Sequence, residues 1–250
     1  TAQSRRPALF FGIILGMRSH WKRMISPVRR APFCGSAFCL LSFLLLLNVF
    51  ARAQETAVII FTLDFPGSEP SHYVISVSSD NRSTYDSDGK LSPEAEGEPF
   101  HLNFSIAPST GSRVFDLARR ARYFEGQIDS GKRKLASTGA KTLSYKDAAR
   151  TTSATYNYSP LPAVQQLTQF FQSLSSTLEF GRRLQYFHRY QKLALDEELK
   201  RMEEMAKDNG LEELPAVVPI LQSIASDSSV INPVRARAQR MVERAALVTP

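Results

Sequence analysis

Between Tyr158 and Pro162 the apolar pattern of this chain changes period, and that change limits the folds open to it. Upstream, apolar and polar residues alternate: Ile59, Phe61, Leu63 and Phe65, then Tyr73, Ile75 and Val77, then Phe100, Leu102, Phe104 and Ile106. A period of two belongs to a strand with one face buried. Downstream, Val164, Leu167, Phe171, Leu174 and Leu178 recur at three- and four-residue spacing, the stripe of an amphipathic helix. The expected fold is therefore α+β: an N-terminal antiparallel β-sheet with one helix, followed by an α-helical C-terminal half. Strict alternation leaves one sheet face wet, which favours antiparallel over parallel pairing.

Strands are expected at Thr56–Phe65, His72–Ser78 and Phe100–Ile106, the last with His101, Asn103 and Ser105 outward. Residues 79–99 hold few apolar side chains and suggest a long loop with a short strand at Arg82–Tyr85. Pro108-Ser109-Thr110 turns into a helix near Ser112–Glu125, where Ser or Thr can cap free N–H groups. Val114, Leu117, Ala118, Ala121 and Phe124 form its apolar stripe. Weaker strands are expected at Lys132–Ser137, Lys141–Lys146 and Thr151–Tyr158, the last rich in Thr and Tyr.

The helical half opens at Pro162 and continues through Gly181, where another backbone could come close, to Leu184 and Phe187. A shorter helix, Asp196–Ala206, ends at Asn209-Gly210. Pro215 and Pro219 predict a break within Leu211–Ser226. Asn232-Pro233 forms a cap-plus-first-position pair for a final helix to Leu247. The segment 224–241 resembles a HEAT-repeat helix pair through Asp227, Val234, Arg235 and Ala238. It occurs once, a solenoid needs several copies, and no function comes with it.

Ahead of these elements lies Phe38–Phe50, a 13-residue apolar run broken only by Ser42 and Asn48. A membrane-spanning helix needs about 20 apolar residues, a signal-peptide core about 7–15. Basic residues precede the run and Ala51-Arg52-Ala53 follows it, a small-residue cleavage site. Cleavage is expected between Ala53 and Gln54, giving a periplasmic or secreted protein; the alternative is an inner-membrane anchor through Phe38–Phe50. The chain then divides into a leader (1–53), a sheet domain (54–159) and a helical region (160–250), which is either separate or packed on the sheet.

Cleavage changes the chemistry. Both cysteines, Cys34 and Cys39, leave with the leader, and with them any disulfide. Eight of the 31 basic residues and none of the 24 acidic ones lie in the leader, so residues 54–250 carry 23 basic and 24 acidic, net −1. The overall charge of +7 therefore gives no reason to expect nucleic acid. One basic segment remains, residues 113–150, with 10 basic and 4 acidic side chains. Tyrosines interleave there, and Arg120, Arg122, Lys132, Arg133, Lys134, Lys141 and Tyr145 make a candidate face for an anionic envelope polymer or another envelope protein. The plainer reading is a sheet face with cross-strand tyrosine pairs and lysines guarding an edge.

Motifs for catalysis and metal binding are weak. Asp86-Ser87-Asp88-Gly89 resembles part of a calcium loop, but Thr84 and Ala95 occupy its first and twelfth positions, where acidic ligands belong. Residues 137–142 lack the glycines of a phosphate loop. His72, His101 and His188 are scattered, and no serine sits in a GxSxG elbow. We therefore assign no catalytic, cofactor or metal residue. The expected function is non-enzymatic binding in the envelope. The alternatives are a hydrolase whose site is assembled by the fold around one of the three histidines, and a scaffold subunit docking a partner through 211–247.

Overall fold

The sheet is built outward from β1 (Val58–Asp64), whose Ile59, Phe61 and Leu63 all point into the core. The computed structural model describes residues 56–92, 95–132 and 134–248. The leader, with the expected cleavage residues Ala51, Ala53 and Gln54, lies outside the described residues, as does Arg133. β1 pairs antiparallel with β2 (His72–Ser78) on one side and β5 (Ala140–Lys146) on the other. β3 (Arg82–Ser87) and β4 (Phe100–Ser105) extend the β2 side, and β6 (Thr151–Tyr156) extends the β5 side. The order is β4-β3-β2-β1-β5-β6, antiparallel throughout. The fold is thus α+β: this sheet with one interleaved helix, then a largely helical C-terminal half.

Several elements depart from expectation. The strand at Arg82–Tyr85 runs on to Ser87, because Ser83, Tyr85 and Ser87 all face inward. Residues 132 and 134–137 form no strand. The first helix, α1 (Pro108–Arg120), begins earlier than expected and has no serine or threonine cap. Pro108 opens it, and the N–H of Ala107 donates to Glu213 Oε2 at 3.1 Å. Past Ala121 the backbone turns left-handed, with φ of 51°, 52° and 68° at Arg122, Tyr123 and Phe124. Phe124 is buried by this turn, and Tyr123 is laid over the β5–β6 hairpin.

α2 (Pro162–Tyr190) is the longest helix, 29 residues. Its expected stripe, Val164 to Leu178, is buried against the sheet, with Phe171 stacked on Phe61 at 5.0 Å. Its far end, Phe180, Leu184 and Phe187, enters a second core. That core is completed by α3 (Leu195–Lys207), α4 (Val218–Ser226) and α5 (Asn232–Val248). The break at Pro215–Pro219 appears as a 3-10 turn, Leu214–Val217, before α4. Gly181 does admit a close neighbour, but it is the Val217 side chain and not a backbone: a β-carbon there would lie 2.5 Å from Val217 Cγ1. Among the described residues, no helix is long and apolar enough to cross a membrane.

Candidate binding groove along α2

At the end of the sheet where β1 stops, the register lines up one inward-facing row from edge to edge. Phe100 lies beside Ser87, Ser87 beside Tyr73, Tyr73 beside Leu63, Leu63 beside Lys141, and Lys141 beside Tyr156. α2 crosses over this row and meets the strands in turn. Tyr156 of β6 donates to Thr168 Oγ1 at 2.5 Å, since Thr168 spends its own proton on Val164 O. Tyr85 of β3 donates to Glu179 Oε1 at 2.8 Å and accepts from Ser175 at 2.9 Å. Ser87 also donates to Glu179 Oε1, at 2.6 Å, and the Arg182 guanidinium lies 4.8 Å over the Phe100 ring of β4. The lengths agree. From Thr168 to Arg182 the helix rises about 21 Å, and five strand spacings cover about 24 Å.

Glu179 is the anchor of this crossing, with its side chain 3% exposed. Oε1 takes two hydroxyl donors; Oε2 is sealed from solvent and receives no hydrogen bond from the described residues. Guanidinium nitrogens of Arg182 and Arg183 stand 3.8 and 3.9 Å from Oε2 and balance its charge. Arg182 is itself held by the carbonyls of Gly89 and Glu98, both at 3.0 Å. Arg183 donates from Nε to the buried Glu198 at 2.6 Å, and Glu198 also meets Arg201 at 3.3 Å. Gly89 is required here, because a β-carbon would sit 2.6 Å from Glu179 Oε2. Burial, and then the charge of Glu179, pushes the Tyr85 hydroxyl far above the usual tyrosine range.

Two cavities open along the polar flank of α2, and Gln172 lines both. One, about 270 Å³, is lined by Tyr73, Ser176, Glu179, Arg183 and Arg201 among others. The other, about 360 Å³, is lined by Lys141, Tyr156, Tyr158, Gln165 and Gln169. Gln165, Gln169 and Gln172 are exposed, as is the Tyr158 ring at 46%. Gln165 supports that ring by donating to Tyr158 Oη at 2.9 Å.

The basic face expected from sequence divides. Lys141 is 4% exposed and belongs to the inward row, its ammonium donating to Thr138 O, Thr138 Oγ1 and Asn157 O at 2.8–3.0 Å. Tyr145 is also inside, 6% exposed, covered by the Tyr123 ring at 4.6 Å. Its hydroxyl donates to Asp147, and burial first, then that carboxylate, pushes it up to about 12. Arg120 and Arg122 are exposed beside the β5–β6 turn, where Thr152 Oγ1 donates to Tyr123 O. Lys132 and Lys134 are exposed near the opposite end of β6, where Ser130 N–H donates to Tyr158 O. The six-residue β6, about 20 Å long, separates the two pairs. These residues do not form one surface, because Lys141 and Tyr145 share the inward parity of Leu143.

Each of the three histidines among the described residues has an aspartate: His72 with Asp64 and His101 with Asp86, both at 2.6 Å on the open sheet face, and His188 with Asp227 at 2.9 Å among the helices. None of the three lines either cavity of the groove. The calcium-like aspartates diverge. Asp86 faces His101, while Asp88 accepts from Ser71 and from the His72 N–H. Among the described residues, no three His, Cys, Asp or Glu side chains converge as metal ligands.

Sequence reasoning missed the groove. Its signal is a second stripe on α2, Thr168, Gln172, Ser175, Glu179 and Arg182, polar residues at three- and four-residue spacing beside the apolar one. Compared with known proteins, the chain matches no protein-family model and no curated protein.

Proposed function

We propose that this protein is an exported, non-enzymatic binding protein, and that it takes a hydroxyl-rich chain, such as an envelope glycan, into the groove along α2. The observation that carries this reading is the exposed lining of the groove, with Gln172 on the wall of both cavities. The side-chain amides of Gln169 and Gln172 make no hydrogen bond among the described residues, and the Tyr158 ring stands open on the same wall as Gln169. Primary amides offer donors and an acceptor to a sugar hydroxyl, and an open aromatic face suits the apolar side of a sugar ring. Below them, the Glu179 network fixes the floor, and a pre-set site loses less entropy on binding. Export rests on the apolar run and small-residue site at 38–54.

Isothermal titration of the purified protein with soluble cell-wall glycan fragments tests it. Gln172→Trp puts a bulky ring on the wall of both cavities from an exposed helix position, so binding should be lost while the fold is kept. Binding that survives Gln172→Trp unchanged, or its absence across the wild-type panel, would refute the groove reading.

A further inference from the structure

Lys141 is a buried cation without a counter-ion. Its Nζ meets four neutral oxygens, those already named and Gly139 O at 3.3 Å, and makes no ion pair among the described residues. Three of the four oxygens are carbonyls, which only accept, and the two N–H bonds of a neutral amine cannot serve all three, whereas an ammonium can. Burial pulls its pKa down, as it must for a charge removed from water without compensation. The carboxylate in this corner, Asp129, does not line the cavity; it is committed to the N–H groups of Gly131, Asn157 and Tyr158.

The N-terminus of α2 lies beside the same space, although none of Leu161, Pro162, Ala163 and Val164 lines it. The cavity lies along the opening turns of α2, past Ser159, Gln165 and Thr168. α2 has no acidic residue in its first turn and no side-chain cap. The positive end of the helix dipole is therefore also uncompensated. Gln169 and the Tyr158 hydroxyl stand on the cavity wall as direct donors, while both N–H bonds of the Gln165 amide are taken by Tyr158 Oη and Ser159 O.

We propose that the 360 Å³ cavity beside Lys141 is an anion subsite, which takes a carboxylate carried on a hydroxylated chain: the groove selects acidic over neutral glycans. This rests on the groove reading above and adds charge selection to it. Lys141 acts as a fixed positive charge behind the wall, while the amides and Tyr158 make the contacts.

The test uses the full chain and two probes, an oligogalacturonate trimer and its carboxyl-reduced counterpart, which differ only in charge. The acidic trimer should bind about tenfold tighter or better. Gln169→Glu places a carboxylate on the cavity wall from an exposed helix position and should erase that preference, lowering affinity for the acidic trimer far more than for the reduced one. Gln166→Glu, exposed on the same helix outside the cavity, should leave the preference intact. Equal affinity for both trimers overturns the anion subsite and leaves the groove standing. Equal effects of the two glutamates also overturn it, since net charge alone would then explain the preference. Binding of neither trimer overturns both readings.

Discussion

The Ser87 hydroxyl, at the last residue of β3, donates at 2.6 Å to Oε1 of Glu179 in the third quarter of α2, 92 residues away. Tyr85 donates to the same oxygen, so one buried carboxylate joins an outer strand to the central helix. Removing it takes the acceptor from the Ser87 and Tyr85 hydroxyls and leaves the buried Arg182 without a carboxylate, while Arg183 keeps Glu198. Glu179→Ala should cost about 3–5 kcal/mol, as breaking a buried ion pair from one side does. Glu179→Gln keeps an acceptor for both hydroxyls and should cost about 1–3 kcal/mol. Urea unfolding distinguishes the two, and equal small losses would mean that the carboxylate does not hold the crossing.

Gly181 of α2 faces Val217 in the turn before α4 with no room for a β-carbon between them. Alanine is ordinarily better than glycine inside a helix by about 1 kcal/mol. Here Gly181→Ala should instead destabilise by about 1–3 kcal/mol, because the new methyl overlaps Val217. Adding Val217→Ala should return part of that loss, and a double-mutant cycle measures the coupling. A Gly181→Ala protein more stable than wild type would show that the turn shifts freely.

Alkaline stability should follow the buried tyrosines. Tyr145 and Tyr156 are pushed up to about 12, in both cases first by burial, and Tyr73 and Tyr85 lie higher still. The folded state therefore resists an ionisation that the unfolded chain undergoes near pH 10. Their contribution is whole below pH 10 and is lost as pH rises through about 12, so denaturation midpoints should fall across that window. Tyr145→Phe should remove one ultraviolet phenolate transition near pH 12; an unchanged titration would place that hydroxyl in water.

Arg122 holds a left-handed backbone at φ 51° with its side chain exposed. Such a conformation costs an ordinary residue about 1–2 kcal/mol. Arg122→Gly should therefore be neutral or stabilising in thermal melts, and Arg122→Val should destabilise by more than 1 kcal/mol or so. Equal melting of the two variants would argue against the left-handed turn.

The fold was legible wherever a side chain's role was set by its near neighbours. Alternation marked β1 and β2, because every inward residue there is apolar. It faltered at β3, where Ser83 and Ser87 are inward but polar, and Ser87 is polar because Glu179 waits opposite. No local pattern announces a partner 92 residues away. Lys141 was misplaced for a different reason. Its parity with Leu143 and Tyr145 put it inside, but its charge suggested the surface, and the carbonyls that solvate it come from the neighbouring loop and from Asn157. The groove needs the sheet register and the helix crossing together, so neither segment shows it alone.

α2 supplies Val164–Leu178 to one apolar core and Phe180–Phe187 to the other, without an intervening loop. A chain severed just ahead of Pro162 would expose a greasy flank on each fragment, so neither piece is a module that recombination could lend to another protein. The helix also behaves as a beam. A load placed among α3, α4 and α5 reaches the floor of the groove through rigid backbone, and a ligand clamped over Gln172 would in turn stiffen helices it never touches.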